Sequence, residues 1–386
     1  DTFSAKVIII TDNNYQEKNF DISEELNDFS SSNGYLCFSG SSKNTIYDEN
    51  ENLYYSFKYG NVQHISIGSD QIIYVASVDK GMYYRTNSNN FKEIVYNSPD
   101  YFMVSKIETK GDHLWVSSGS PERKYLLKGL LYYFNDEHWT TYDKNDYPST
   151  VAYANTYKIA IDPRDNNHVY VASEAYGLIE FLNGKAIRTF DRYNHDLFAG
   201  ISNDIVGIRI AGLQFDSHNN LWMVINMMPQ PVFKINADGT WENPAVTSSN
   251  LTSENLIFTD MIVTKDDDMW ITLQKKGIVV LRDNGSGTLL EKSFVVKNNN
   301  RGISFDKPIC MNEDHDGAIW VGTTTGPVIY SNPSDVFQIN DVSGTQVEIP
   351  RNDGSGTIDF LLYGETILDI KTDGGNRKWM ATEKSG

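Results

Sequence analysis

The chain holds 386 residues, with 51 acidic against 33 basic side chains and a formal net charge of −18. That balance excludes a nucleic-acid-binding protein, which needs a basic footprint for phosphates, and it disfavours adhesion to an anionic membrane surface. No apolar run approaches the roughly 20 residues of a helical membrane span, and the two cysteines, Cys37 and Cys310, are too few for a disulfide framework and read as buried thiols.

In chain order, "SAKVIIIT" near the N-terminus reads as a strand, and "DISEELNDF" (21–29) is the best helical candidate in the chain, though short. From there one phrase recurs. A turn of Asp, Asn or Gly leads into an aromatic among β-branched residues, and a glycine then opens a second apolar run. The aromatic anchors are Tyr74, Trp115, Tyr170, Trp222, Trp270, Trp320 and Trp379, spaced 41, 55, 52, 48, 50 and 59 residues apart. The glycine follows by seven residues at Gly81, Gly177, Gly277 and Gly386, by six at Gly326, and by fourteen at Gly129. The copy at Trp222 lacks it and continues "MMPQPVFKI"; "GYLCFSGS", with Cys37 in the aromatic slot, is a degraded eighth copy.

A period near 50 residues points to a propeller. The copy around Tyr170 parses into four strands, "YKIAID", "HVYVAS", "GLIEFL" and "AIRTFD". Four antiparallel strands make one blade, and radial repetition leaves only short, protected edges. The expected fold is therefore all-β: a propeller of four-stranded antiparallel blades over residues 1–386, with seven blades as first choice and eight as second. A boundary near 335–365 would mark a second propeller. Turn pairs such as Asp316–Gly317 and Asn219–Asn220 suit the positive φ of tight hairpins. Each anchor ring packed between blades would bury about 150–250 Å². The last copy stops at its glycine slot, Gly386. Its blade is expected to be completed from elsewhere, by the N-terminal "SAKVIIIT" or, preferably, by chain beyond a truncation.

Catalytic signatures do not emerge. The seven histidines form no HExxH or other metal spacing, and no Gly-x-Ser-x-Gly elbow occurs. The glycine-rich "DNGSGT" and "NDGSGT" lack the following Lys-Ser/Thr of a phosphate loop and read as turns. "KDDDMW" and "NEDHDGAIW" lack a calcium loop's closing glutamate, so their aspartates read as turn residues. No metal or cofactor is expected, and the protein is expected to bind rather than catalyse. The unusual stretches are 142–158, with four tyrosines, 192–207, and "NMMPQPV" at 226–232. Exposed aromatics on propeller faces stack on sugar rings or protein partners, which makes Tyr147, Tyr153 and Phe198 the candidate ligand contacts.

"DGAIWVGTTTGPVIY", and more loosely "NNLWMV" and "DDMWITLQKKGIVVL", resemble the propeller repeats of two-component regulators. "IPRNDGSGTIDFLLYGETILDIKTDGGNRKWMAT" in the C-terminal quarter resembles the PorZ-type propeller proteins of the Bacteroidetes type IX secretion machinery. The second resemblance implies a non-enzymatic propeller at the cell surface. It also implies partners in the sortase-like peptidase complex that attaches cargo to surface lipopolysaccharide, and contact with that lipopolysaccharide or another glycan. The first implies the alternative, a periplasmic ligand-sensing region of a hybrid regulator.

Overall fold

The computed structural model describes residues 3–384 apart from 12–13, 23–24, 86–89, 95–96, 100–103, 120–128, 144, 148–154, 174–175, 200–206, 248–250, 252–256, 275–276, 299–302, 306 and 352–355. The chain forms two compact units, Asp1–Asn97 and Ser98–Gly386. Residues 335–365 lie inside the second.

The first unit holds a hairpin, Phe3–Thr11 with Asn14–Ile22, and two four-stranded antiparallel sheets. Sheet A comprises Leu26–Ser32, Tyr35–Gly40, Lys43–Tyr47 and Leu53–Lys58; sheet B comprises Val62–Ile67, Ile73–Ser77, Gly81–Arg85 and Lys92–Glu93. The strand containing "SAKVIIIT" pairs with Asn14–Ile22 along its whole length, so its partner is its own sequence neighbour. The helical candidate is corrected as well. Leu26–Ser32 is a strand whose side chains alternate between half-buried and exposed, the period-2 pattern of a sheet face. Cys37 lies buried on the second strand of sheet A, so the degraded copy is a full sheet.

Besides two short hairpins, Val296–Asn298 with Ile303–Phe305 and Glu348–Pro350 with Ile358–Phe360, the second unit contains a series of six sheets, each with its strands in chain order. Sheet C is Lys106–Lys110, His113–Ser117, Leu131–Asn135 and His138–Tyr142, and sheet D is Thr156–Ile161, His168–Ser173, Gly177–Leu182 and Lys185–Phe190. Sheet E is Ile210–Phe215, Leu221–Ile225, Val232–Ile235 and Trp241–Glu242, and sheet F is Phe258–Val263, Met269–Leu273, Gly277–Arg282 and Leu290–Phe294. Sheet G has three strands, Pro308–Glu313, Ile319–Thr323 and Gly326–Tyr330, and sheet H has two, Ile367–Thr372 and Lys378–Thr382. Apolar clusters fill each successive gap from C–D to G–H. The first strands of all six sheets line one cavity, and ion pairs Lys106–Asp369 and Lys371–Glu108 join sheet H back to sheet C. Six sheets, rather than seven or eight, surround this cavity; the copies at Cys37 and Tyr74 sit in the other unit.

The recurring phrase has a local cause. Asp216, Asp314 and Asp373 each stand six residues before a tryptophan, and the Oδ2 of each accepts that indole Nε1–H at 2.8–2.9 Å. The Oδ1 of the same aspartate accepts backbone N–H groups two and four residues on, as from Asp316 and Ala318 to Asp314. One carboxylate thus satisfies a turn's orphan donors and orients the ring that follows. One residue of each turn pair takes positive φ, Asn219 at 64° and Gly317 at 85°. Gly277 sits at φ 92°, and a Cβ there would stand 2.2 Å from the Phe294 carbonyl oxygen, so no other residue fits.

The seven anchor aromatics all lie on second strands of separate sheets. Trp115, Tyr170, Trp222 and Trp270 are buried, while Tyr74 and Trp320 are partly buried. Trp379 departs from the expected burial: it is 63% exposed on the last strand of the two-stranded sheet H. The motif orients the indole, but burial comes from the sheet packed against it.

Candidate functional site

The cavity encloses about 450 Å³ at the axis of the second unit. Its charges are placed by a repeated irregularity. The first strands of sheets D to H each carry a register shift, between Thr156 and Lys158, Ile210 and Gly212, Phe258 and Asp260, Pro308 and Cys310, and Ile367 and Asp369. Such bulges re-aim the side chain that follows. In every case that following residue pairs with the one two beyond the anchor, and Lys106 of sheet C holds the same register opposite Ser117. The layer therefore reads Lys106, Lys158, Gly212, Asp260, Cys310, Asp369 from sheet C to sheet H.

Within this layer Lys158 Nζ donates to Asp260 Oδ1 at 2.6 Å, and Lys106 Nζ to Asp369 Oδ2 at 3.3 Å. Sheets D and F, which carry Lys158 and Asp260, are not neighbours; sheet E between them contributes only Gly212 at this level. A Cβ on Gly212 would stand 2.4 Å from the Met261 Cβ, so the gap is enforced by packing. Lys158 and Asp260 are both buried. Burial works against the Lys158 ammonium, yet the Asp260 carboxylate outweighs it and raises the lysine's pKa. Burial likewise opposes the Asp260 carboxylate, and Lys158 and Lys106 outweigh it and hold its pKa down. Lys106 is also held charged: burial and Lys158 act against it, and Asp260 and Asp369 prevail. Lys158, Asp260 and Lys106 are therefore ionised at neutral pH. One step further along the strands, Glu108, Gln214, Asn312 and Lys371 form the wall. Sheets A and B of the first unit carry the same register device, where Asp28 and His64 follow their own shifts and meet at 2.6 Å.

A second cavity, of about 250 Å³, lies between sheets D and E. His168 bridges Asp162 at 3.0 Å and Glu180 at 2.8 Å. Arg164 forks onto Asp162 and also donates to the Ala237 carbonyl at 2.8 Å, while Arg188 pairs with Glu180 at 2.9 Å. These charges answer one another and tie sheet D to the turn of sheet E.

The residues expected to contact a ligand lie elsewhere. Tyr147 is buried and donates its hydroxyl to the Gly129 carbonyl at 2.8 Å, with its ring against Phe181. Phe198 is fully buried against Phe233 and Trp241. Both rings serve packing, which corrects the expectation of exposed stacking surfaces; Tyr153 falls outside the described residues. The cavity layer was missed, yet a signal existed. It stands ten residues before the anchor in sheets E to H, nine in C and twelve in D, and it reads Lys, Lys, Gly, Asp, Cys, Asp. Among the described residues no group of three or more His, Cys, Asp or Glu is placed to hold a metal ion.

Antiparallel meanders closed into a ring around an axial cavity make this a β-propeller protein. No protein-family model and no curated protein sequence matches the chain. Among solved structures it is similar to PorZ of Porphyromonas gingivalis, described as an essential bacterial surface component of the type IX secretion system. The TM-score is 0.71 at 18% identity, covering 99% of this chain and 53% of that one. The chain thus spans about half the length of that protein, and the likeness read from its C-terminal quarter extends to the fold. Weaker similarity reaches the extracellular domain of the hybrid two-component system BT3049 of B. thetaiotaomicron (TM-score 0.36, 14% identity, covering 94% and 49%). It also reaches YCF48 of Cyanidioschyzon merolae (0.44, 13%, covering 82% and 91%).

Proposed function

We propose that the chain is a non-enzymatic binding propeller of a type IX secretion system, acting outside the cytoplasm in the surface attachment of cargo proteins. The observation that carries this reading is the PorZ-like fold over nearly the whole chain, joined to the "PRNDG" and "GGNRKW" phrases. Its partners on this reading are the sortase-like peptidase complex and surface lipopolysaccharide or a related glycan. The charge layer supports binding over catalysis. Its lysines are held protonated and its aspartate ionised, so none of them is poised for proton transfer near neutral pH.

The test is deletion of the gene in its own organism, with surface-bound cargo measured by fractionation, together with co-purification of the tagged full-length protein. Loss of surface cargo and recovery of the sortase-like peptidase are expected. Normal cargo attachment with a changed transcriptional response to a glycan would overturn the reading in favour of a sensor.

A further inference from the structure

The charge layer at the cavity floor, with Lys158 and Asp260 buried and Lys106 and Asp369 half-buried, leaves an imbalance of hydrogen-bonding capacity. Asp260 uses both oxygens, accepting Lys158 Nζ on Oδ1 and the Met311 backbone N–H on Oδ2 at 3.2 Å. Asp369 does the same, accepting Lys106 Nζ on Oδ2 and the Ile370 N–H on Oδ1 at 3.0 Å. An ammonium carries three N–H donors. Lys158 and Lys106 each have one acceptor among the described residues, with the Tyr157 ring 5.0 Å from the Lys158 ammonium. The floor of the cavity is therefore a surplus of donors whose own carboxylates are already engaged, and a buried ammonium such as that of Lys158 calls for further acceptors. At the wall, the Lys371 ammonium stands 3.7 Å from Glu108, too far for a firm bond and close enough to swing.

We propose that this cavity binds the carboxylate of a small monoanionic ligand, with Lys158 and Lys106 donating from the floor and Lys371 from the wall. An oxygen acceptor is required by the unused donors, and bonds from an ammonium to a charged acceptor are about twice as strong as neutral ones. A dianion is disfavoured. Four lysines and four carboxylates balance among the lining residues. A second negative charge about 4 Å from Asp260 or Asp369 would be opposed by Coulomb repulsion, which is strong at the reduced effective dielectric of such sites. The volume of about 450 Å³ falls within the ~300–1,000 Å³ of small-ligand sites. This inference does not depend on the secretion role, since it concerns a low-molecular-weight ligand and is tested on purified protein.

Isothermal titration of the purified full chain measures it. The probes are D-glucuronate and N-acetyl-alanine, which represent the sugar-acid and peptide-type sources of a carboxylate. Methyl glucuronate, glucose and inorganic phosphate are the controls. At least one carboxylate is expected to bind with a Kd of about 1 mM or tighter, and its uncharged counterpart and phosphate at least tenfold more weakly. The double variant Lys158→Met/Asp260→Leu removes a matched pair and so avoids stranding a buried charge; it is expected to weaken binding more than tenfold with the circular dichroism spectrum unchanged. Lys371→Gln is expected to weaken it severalfold. Absence of binding by both carboxylates at 10 mM, roughly ten times that Kd, equal binding of the ester or of phosphate, or unchanged binding by the folded double variant would each overturn the proposal.

Discussion

Replacing Trp270 and Trp379 by alanine separates what the repeat dictates from what packing supplies, because both occupy the same slot of the same phrase. Trp270 is wholly buried, with Phe294 at 5.7 Å and Tyr330 at 5.5 Å between ring centroids. An aromatic of this kind buries about 150–250 Å², which at about 25 cal/mol per Å² gives an upper bound near 4–6 kcal/mol. Large-to-small core changes of this type cost about 3–5 kcal/mol, and that is the loss expected for Trp270→Ala. Trp379 is 63% exposed and keeps one bond to Asp373 at 2.9 Å, so Trp379→Ala is expected to cost about 1 kcal/mol or less. All seven tryptophans lie in the second unit, so urea unfolding followed by tryptophan fluorescence reports that unit alone. The stabilities are compared at a common m-value. Similar losses at the two positions would refute the argument that the neighbouring sheet, rather than the phrase, supplies the energy.

Three further outcomes are expected. Gly277→Ala, with its Cβ 2.2 Å from a backbone oxygen, is expected to cost clearly more than Gly285→Ala, where φ is also positive but nothing lies within 4 Å; strain from φ alone is about 1–2 kcal/mol, and equal thermal shifts would contradict this. Lys158→Met alone strands the buried Asp260 carboxylate and is expected to lose about 3–5 kcal/mol, most of it regained when Asp260→Leu is added; a double variant no more stable than the single one would show that the pair does not act as a unit. The clamp around His168 predicts a pH dependence. The hydrogen bond to Glu180 chiefly, with help from Asp162, raises the histidine's pKa above its ordinary 6.5 against the pull of burial. Its contribution is thus complete below about 6.5 and fades as pH rises through the raised value. Asp162 and Glu180 are opposed by burial but held below their ordinary 3.8 and 4.5 by Arg164, His168 and Arg188, so their contribution is present above those values and fades as pH falls through the lowered ones. The stability difference between the protein and His168→Phe is therefore expected to be largest near pH 5–6 and to shrink at higher pH; a flat difference from pH 5 to 9 would show that the bridge carries no charge.

The amino-acid sequence by itself determined the features that form between near neighbours. The aspartate six residues before the tryptophan, the turn residues at positive φ, the obligatory glycine and the alternation of the strands all rest on contacts within one copy, so each can be read in the copies that carry it. The burial of both cysteines follows from the same local pattern. What the tertiary structure alone decided depends on ring closure. Lys158 meets Asp260 across 102 residues and Lys106 meets Asp369 across 263. No local periodicity encodes which copy faces which, so the charge layer was legible as a register but not as a site. The same holds for the six sheets around the cavity and the separation of the first two copies into another unit, which depend on how many blades close. Tyr147 and Phe198 look like surface residues in a long polar loop, yet their rings are buried because neighbouring strands supply apolar walls that the loop's own composition does not reveal. Trp379 shows the converse, an orienting motif intact while its ring stays 63% exposed among the described residues, because burial is a property of what packs alongside and not of the residues that make the turn.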